Sequence, residues 1–343
     1  MSRVQTLTVG PEDGDQRLDR WFRKQFPHMS QVQIEKMCRK GEIRVDGGRV
    51  RGATRIEAGQ QVRIPPLPDY QPPLPERVAP ALASDIEMIR NAVIYQDDYI
   101  IAINKPPGLP SQGGSGQGER HVDGLAAHLK FGKPEKPSLI HRLDKDTSGV
   151  LLLGRTASMT RKLNEMFRDR SMRKIYWAAV AGVPKPAMGT IRYGLVKGGH
   201  PRDEKMRAIH PAKIDKTEGA KRATTDYAVL DKLGTRASWV AMVPMTGRTH
   251  QLRVHMAELG HPIIGDGKYG GTSQENLGDG WGAGMGGEIS RKLHLHARSL
   301  SFKHPMTGAQ VRITAELPEH MARTWKTLGW SKFDVPVDPF EDQ

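Results

Sequence analysis

Residues 139–156 read LIHRLDKDTSGVLLLGRT, a strongly polar loop followed directly by an apolar run. The uninterrupted run from Val150 to Leu153 indicates a strand that is buried on both faces. Loops at the ends of such strands often carry catalytic side chains, because the strand supports them rigidly. Asp144 is therefore a candidate for chemistry. The pattern alone also allows a polar turn in which Asp144 or Asp146 only caps backbone amides.

The sequence on either side predicts a domain of mixed strands and helices from about residue 92 to residue 320. Upstream, a β-type run spans Tyr99 to Ile103, and a glycine-rich loop follows it. Downstream, Thr156 is placed to cap a helix. Further strands are expected at 174–181, 225–230 and 238–243, and a further helix at 249–259. Residues 321–343 are expected to form a surface tail.

Residues 16–64 are expected to fold as a smaller unit. Apolar residues recur at helical spacing between Leu18 and Phe26, and Ser30 with Gln33 can form a capping box for a second helix. The segment IRVDGGRV (43–50) alternates around an Asp-Gly pair, which predicts a hairpin. QQVRIP (60–65) predicts a closing strand.

The segments that flank this unit carry no strong structural signal. Residues 1–15 are interpreted as an N-terminal segment. Seven prolines lie between Pro65 and Pro80, and such a composition favours an extended, semi-rigid chain. We therefore interpret residues 65–91 as a linker between the small unit and the larger domain.

The small unit is unusually basic. Residues 16–63 contain twelve Lys or Arg and five Asp or Glu, a difference of +7, which is half of the chain's net charge of +14. Such a concentration favours a phosphate-binding face over an ordinary solvated surface. The candidate RNA-binding residues are Arg17, Arg20, Lys36, Arg39, Lys40 and Arg44, together with Arg142 beside Asp144.

Composition and length limit the remaining classes of protein. The 343 residues are 37% hydrophobic and 26% charged, which suits one or two folded domains. The single cysteine, Cys38, cannot form an internal disulfide and fits a reducing compartment. No apolar run is long enough to span a membrane, and the N-terminus lacks a secretory signal. We expect a cytoplasmic protein, most simply a monomer.

The usual cofactor and metal motifs do not account for the sequence. Gly265, Gly267 and Gly270 spell G-x-G-x-x-G, but neither the strand nor the helix that a dinucleotide site needs surrounds them. No phosphate-binding loop of the G-x-x-x-x-G-K-[ST] type occurs. The histidine pairs at 250 and 255 and at 294 and 296 lack HExxH spacing. We therefore expect no cofactor and no metal.

Two further segments contain candidate site residues. In TGRTHQLRVH (246–255), Gly247 permits a tight turn and Arg248 precedes a helix start, where the helix dipole disfavours a cation unless an anion pairs with it. In KIYW (174–177), Tyr176 lies on a predicted strand. The pattern alone also allows a surface arginine and a core tyrosine at these positions.

These segments together resemble one family, the RluA/RluC class of pseudouridine synthases. HRLDKDTSGVLL (141–152) and TGRTHQLRVHMAELGHPIIGD (246–266) are similar to the signatures of that class. The similarity extends to INKPPGLPSQGGSG (103–116), RKIYWAAVAG (173–182), KYG (268–270) and LHLHARSLSFKHP (293–305). Residues 16–63 resemble the S4 RNA-binding domain that often precedes this catalytic domain.

The resemblance implies an α+β fold, in which a mixed, largely antiparallel sheet carries a central cleft and a small S4-like α/β domain precedes it. It implies that Asp144 is the catalytic carboxylate, that Arg248 pairs with it, and that Tyr176 stacks on a flipped uracil. The reaction cuts the C1′–N1 bond of uridine and rejoins the base through C5. No atom is lost and no redox change occurs, so no cofactor is required.

The resemblance also bears on the RNA substrate. The loop GLPSQGGSG (108–116) is more similar to the RluC branch than to the branch that modifies transfer RNA. A second RNA-binding unit on a stiff linker suits a large folded RNA, because it adds a distant contact. We expect 23S ribosomal RNA as the substrate. The alternatives are a transfer-RNA pseudouridine synthase, a hydrolase that releases uracil, and a non-catalytic ribosome-assembly factor.

Overall fold

The structure, a computed structural model, describes residues 4–67, 81–113, 118–198, 205–270 and 289–341. The chain divides into two compact units, Met1–Arg77 and Val78–Gln343. The expected glycine-rich loop at 270–287 lies almost wholly outside the described residues. Residues 114–117, which belong to the earlier glycine-rich loop, also lie outside them.

The first unit packs two helices against short antiparallel strands around one apolar core. Both predicted helices, the predicted hairpin and the predicted closing strand are present, and Ser30 and Gln33 form the expected capping box. The four-stranded sheet has the order β1-β6-β3-β4, and β2 pairs with β5. The elements are β1 (Gln5–Thr8), β2 (Gln16–Arg17), α1 (Leu18–Gln25), α2 (Gln31–Lys40), β3 (Arg44–Val45), β4 (Gly48–Arg49), β5 (Arg55–Ile56) and β6 (Gln61–Ile64).

The N-terminal segment belongs to this unit, contrary to its interpretation as a separate stretch. Residues Gln5–Thr8 form β1, which pairs antiparallel with all of β6. The interpretation was wrong because QTLT is too short to show a convincing alternation by itself. Its stability comes from the neighbouring strand rather than from its own side chains.

The second unit is built on one eleven-stranded sheet. Its elements are α3 (Ala83–Asn91), β7 (Val93–Gln96), β8 (Ile100–Lys105), α4 (Val122–Leu125), β9 (Ser138–Leu139), β10 (Ser148–Gly154), α5 (Ala157–Arg168), β11 (Arg173–Ala181), β12 (Met188–Lys197), β13 (Met206–Ile209), β14 (Lys221–Leu233), β15 (Ala237–Pro244), α6 (Gln251–Glu258), β16 (Leu295–Lys303), β17 (Gln310–Thr314) and α7 (Glu319–Leu328).

The main path of this sheet runs β13-β12-β14-β15-β11-β16-β10-β8-β7, with β17 beside β16 and β9 beside β10. Among the described strands only β10 and β16 pair in parallel, so the predicted mixed, largely antiparallel α+β fold is confirmed. The close approach of these two strands requires a glycine at position 149. Gly149 has a φ of +110°, and a Cβ there would overlap the carbonyl oxygen of Ala297.

Two boundaries of the larger domain differ from the sequence-based expectation. Helix α3 lies in the second unit, where Ile89 is fully buried, so this domain begins before residue 92 and the predicted linker is too long. Residues 319–341 are not a surface tail: α7 buries Met321 and Trp325, and Trp330 and Phe340 join the same core. Within the described residues, no helix combines the length and apolar character needed to cross a membrane.

Candidate active site

A cleft of about 800 Å³ opens beside the predicted catalytic loop. It is lined by the loop before β10, the end of α5, the start of β11 and the first turn of α6. Asp144, Tyr176 and Arg248, the three residues proposed for catalysis, all line it, and so does Arg142. Asp146 is exposed and does not line the cleft, as expected from its position two residues beyond Asp144.

The loop that carries Asp144 is clamped on both sides. The Lys105 side chain is fully buried, and its ammonium donates hydrogen bonds to three carbonyl oxygens, of Pro106, Leu109 and Lys145, at 2.8–2.9 Å. The Ser111 hydroxyl donates to the Leu143 carbonyl at 2.7 Å and accepts the Leu143 N–H at 3.0 Å. Leu143 and Lys145, the residues on either side of Asp144, are thus both held by hydrogen bonds to buried side chains.

Lys105 is also an electrostatic feature of this loop. Burial lowers the pKa of Lys105 to about 7, while the nearby carboxylates of Asp146 and Asp144 act in the opposite direction. The partner carbonyls orient the ammonium toward the loop backbone. The sequence contains this lysine in the INKPP segment, but nothing in the pattern shows that its side chain is buried.

The cation paired with Asp144 is Arg253, on α6. Its Nη1 lies 3.4 Å from Asp144 Oδ2, and its Nε and Nη2 each donate to the Asp266 carboxylate at 2.7 Å. The Asp266 side chain is fully buried and also accepts the N–H groups of Lys268 and Tyr269. Burial tends to lower the pKa of Arg253, but the hydrogen bonds to Asp266 and the charges of Asp266 and Asp144 raise it overall.

Arg248 is placed differently from the expectation. It lies in the same cleft but is exposed, and the hydrogen bond described for its side chain goes to the Arg222 carbonyl at 3.4 Å. Both arginines belong to the motif at 246–255, five residues apart. The turn before α6 separates them, because Gln251 is buried and accepts the Arg248 N–H, which turns the Arg248 side chain away from Asp144.

Tyr176 reaches the cleft through an irregularity in its strand. The register between β11 and β16 shifts between Ile175 and Tyr176, and such a bulge changes the direction of a side chain. Burial raises the pKa of Tyr176, and the charge of Asp144 raises it further. The phenol is therefore neutral at physiological pH, so its ring serves as an apolar face beside Asp144.

A second aromatic group lines the wall of the cleft. The rings of His141 and Phe167 stack with centroids 4.4 Å apart, and Lys174 Nζ lies 5.4 Å from the centre of the Phe167 ring. Arg168 and Arg170 line the same side of the cleft. Phe167 is followed in the sequence by Arg168, Arg170, Arg173 and Lys174, and this density of cations at the end of α5 was a signal of a phosphate-binding surface.

The described residues contain no group of three or more His, Cys, Asp or Glu side chains arranged to hold a metal ion. The histidine pairs have other partners. His294 is fully buried and contacts Thr324 Oγ1 at 2.8 Å, and His296 contacts Ser148 Oγ at 2.8 Å. These histidines support the strands that carry the cleft.

The first unit carries the remaining candidate residues. Arg17, Arg20, Lys36, Arg39, Lys40 and Arg44 are all exposed. Arg17 forms an ion pair with Asp19 at 2.6 Å, and Arg44 donates to the carbonyls of Gly41 and Gly47. Arg20 lines a shallow basic hollow together with Arg23 and Lys24. The surface is basic, as the composition predicted.

The sequence is similar to known enzymes along nearly its whole length. Residues 99–258 match the family model described as RNA pseudouridylate synthase. The chain is 33% identical over 327 residues to ribosomal large subunit pseudouridine synthase C of Salmonella typhimurium, which covers 95% of this chain and 97% of the relative. The chain belongs to the pseudouridine synthase family. The enzyme of the same name from Escherichia coli is matched with the same identity and coverage.

The fold agrees with this family. The solved structure of human RNA pseudouridylate synthase domain containing 4 covers 71% of this chain and 95% of its own, with 30% identity and a TM-score of 0.57. Human RNA pseudouridylate synthase domain containing 1 aligns with 26% identity and a TM-score of 0.52. This pseudouridine synthase is an isomerase that acts on RNA, so the non-catalytic alternative is set aside.

Proposed function

We propose that this pseudouridine synthase modifies uridines of 23S ribosomal RNA and that Asp144 is its catalytic carboxylate. The observation that carries the proposal is the placement of Asp144 in the cleft, where one of its oxygens lies 3.4 Å from a buried arginine. The relatives named ribosomal large subunit pseudouridine synthase C support the substrate.

Asp144 either attacks C1′ of the uridine or removes the proton from C2′, and both routes require the ionised carboxylate. Arg253 stabilises that anion through its Nη1. The guanidinium of Arg253 is held in a fixed orientation toward Asp144, because its Nε and Nη2 both donate to the buried Asp266 carboxylate. We therefore assign to Arg253 the charge-pairing role that the sequence suggested for Arg248, and we assign Arg248 to RNA contact.

The target base must leave its stack to reach Asp144, which costs a few kcal/mol. Tyr176 offers a neutral aromatic face on which the flipped uracil can stack. The positive charge around the cleft, from Arg142, Arg168 and Arg248, compensates the phosphates that accompany the base. Once the C1′–N1 bond is broken, the base rotates and C5 bonds to C1′. C5 then loses its proton and N1 gains one, so that no atom is lost overall.

The basic first unit is proposed to bind RNA as an S4-like domain, with Arg20 and the exposed cations of α2 as its contacts. Asp144, Tyr176 and Arg253 all come from one chain, which supports a monomeric enzyme. The proposed ribosomal substrate places the enzyme in the cytoplasm. Sedimentation of the purified protein tests the monomer.

The decisive test compares Asp144→Asn with the matched variant Asp146→Asn. Asp144→Asn should abolish pseudouridine formation in 23S RNA transcripts, while folding and RNA affinity persist. Asp146→Asn, which changes an exposed carboxylate two residues away, should retain most of the activity. Substantial turnover by pure Asp144→Asn protein would contradict the assignment.

The substrate is tested separately by deleting the gene and mapping pseudouridine in total RNA. Loss of sites in 23S RNA is the expected result. Loss confined to transfer RNA would overturn the proposed substrate and leave the enzyme class unchanged.

A further inference from the structure

His250, in the turn before α6, has a strained backbone. Its φ of +52° and ψ of +19° are left-handed, a conformation that a non-glycine residue adopts at a cost of about 1 kcal/mol. The result of this conformation is a specific placement: the imidazole lines the cleft and is only 8% exposed. Strain of this kind is often found where a side chain has to be held at a functional site.

The hydroxyl of Tyr269 is a hydrogen-bond partner of His250. This hydroxyl accepts the backbone N–H of Met206 at 2.8 Å and lies 2.8 Å from His250 Nδ1. Met206 occupies one lone pair of the oxygen, and the hydrogen of the hydroxyl can be donated to Nδ1. An imidazole that accepts at Nδ1 carries its own hydrogen at Nε2.

Tyr269 is itself held in place by cations. Its ring lies under the guanidinium of Arg253, with 5.2 Å from Cζ to the ring centre, and 5.6 Å from Lys205 Nζ. Its N–H donates to Asp266, the same carboxylate that fixes Arg253. Tyr269 and Arg253 thus belong to one buried assembly.

The protonated nitrogen of His250 faces the catalytic carboxylate. Nε2 lies 3.8 Å from Asp144 Oδ2, the same oxygen that Arg253 Nη1 approaches at 3.4 Å. Within the described part of the chain, Oδ2 is the oxygen that both of these side chains approach, and no hydrogen bond to Oδ1 is formed. Distances of this length in a free enzyme are expected to shorten once substrate closes the site.

Burial favours the neutral form of His250, while the surrounding charges act in both directions. Burial lowers the pKa of His250, the charge of Asp144 opposes this, and Arg253 and Lys268 reinforce it, with Asp266 opposing. Tyr269 adds a hydrogen bond to the neutral ring. A neutral ring has two tautomers, and only the one with hydrogen on Nε2 attracts Asp144.

We propose that Tyr269 and His250 act as a pair of positioning residues for Asp144. Tyr269 fixes the tautomer of His250, and the Nε2–H of His250 together with Arg253 holds Oδ2, so that Oδ1 is the oxygen presented to the ribose. The proposal rests on Asp144 as the catalytic carboxylate. Without the Tyr269 hydroxyl, His250 also populates the tautomer whose Nε2 lone pair repels Oδ2, and the carboxylate loses its orientation.

The test is the single-turnover rate of Tyr269→Phe at saturating RNA. We expect this rate to fall about 10-fold while the RNA Kd stays within about twofold, since only orientation is lost. The matched control is Tyr227→Phe, which removes a hydroxyl that donates to the Pro186 carbonyl in the same sheet, away from Asp144. This control should lower stability without changing the rate.

A double-mutant comparison separates positioning from simple destabilisation. His250→Gln keeps an amide N–H near the position of Nε2 and has no tautomers, so adding Tyr269→Phe to it should cause no further loss of rate.

A wild-type rate for Tyr269→Phe, or fully additive losses in the two variants, would each overturn the proposal. Failure of the function proposed above would have a different result, since the wild-type enzyme itself would then form no pseudouridine in 23S RNA.

Discussion

Arg253 binds two carboxylates at once, and they differ in exposure. Asp266 is completely buried, whereas the Asp144 side chain is 29% exposed at the floor of the cleft. Breaking a buried charge pair leaves an uncompensated charge, which costs about 3–5 kcal/mol. The planar guanidinium is needed because only its fork can satisfy Asp266 at two corners and still face Asp144 at the third.

Exchange of Arg253 for lysine tests this role. Arg253→Lys keeps the charge but loses the fork, so we expect the single-turnover rate to fall about 100-fold. Arg248→Lys is the matched control, since Arg248 is exposed and its described contact is a long hydrogen bond to the Arg222 carbonyl. That control should change RNA affinity more than rate. A larger loss of rate in Arg248→Lys would restore the pairing expected from sequence.

At the scale of elements, α7 stabilises the back of the sheet. The ring of Trp325 lies 5.5 Å from that of Trp239 on β15 and 5.2 Å from that of Trp330. Trp325 is 3% exposed. Residues between 319 and 340 therefore complete the core beneath β11, which carries Tyr176.

Trp325→Ala should lower the free energy of unfolding by about 3–5 kcal/mol, because it empties a large buried volume. The matched control is Phe333→Ala in the same C-terminal region, where the side chain is 86% exposed. This control should change stability by less than about 0.5 kcal/mol. Urea denaturation of both variants measures the difference, and equal stabilities would mean that the C-terminal segment is a tail after all.

The elements that sequence predicted best have strong local signals. Val150 to Leu153 form a continuous apolar run, and Ser30 with Gln33 form a capping box, so β10 and α2 were located closely. The helix α7 was missed although Met321, Trp325 and Leu328 follow helical spacing, because residues 321–343 were interpreted as a surface tail and the packing of Trp325 on Trp239 is a tertiary contact. β1 and β12 depend on partner strands, which a single sequence does not reveal.

The residues of the site were also predicted only in part, because some have a local signal in the sequence and others depend on tertiary contacts. The polar loop at 141–149 identified Asp144 locally, and both motif arginines line the cleft with it. Which arginine faces Asp144 depends on the turn formed by Gln251 and on Asp266, which lies thirteen residues beyond Arg253. Pairing of that kind is a tertiary property, so the sequence alone could not distinguish Arg253 from Arg248.

For the whole molecule, the uneven distribution of charge predicts how RNA binding responds to salt. Twelve cations lie among residues 16–63, and their binding to phosphates releases counterions. A fragment that begins at Val78, where the second unit starts, should bind RNA more weakly and with a shallower dependence on salt. Affinity measured from 50 to 300 mM salt tests this, and an unchanged slope would show that the first unit does not contact RNA.

Acid sensitivity is a second property of the whole molecule. Burial lowers the pKa of His255, His294 and His296 to about 4, below the value of about 6.5 in an unfolded chain. Between pH 6.5 and 4 the unfolded state therefore binds protons that the folded state does not. As the pH is lowered through this window, the free energy of unfolding should decrease by about 1 kcal/mol per histidine per pH unit.

His255→Asn isolates one of these contributions. Asparagine keeps a polar group near Thr225, which His255 Nδ1 contacts at 2.9 Å, but it does not titrate. Relative to the wild-type protein, this variant should lose less stability between pH 6.5 and 4. Denaturation curves at several pH values measure both slopes, and parallel slopes would contradict the expectation.

The parallel pairing of β10 with β16 has a consequence for how the enzyme is made. In the sheet order, β16 lies between β11 and β10, so among the described strands it joins β10, which follows the Asp144 loop, to β11, which carries Tyr176. Residues 148 and 296 must meet, a contact between segments that emerge from the ribosome far apart in time. A nascent chain that ends before Leu295 holds Asp144 and Tyr176 on two unconnected half-sheets. We therefore expect the enzyme to gain its activity only after β16 has been translated.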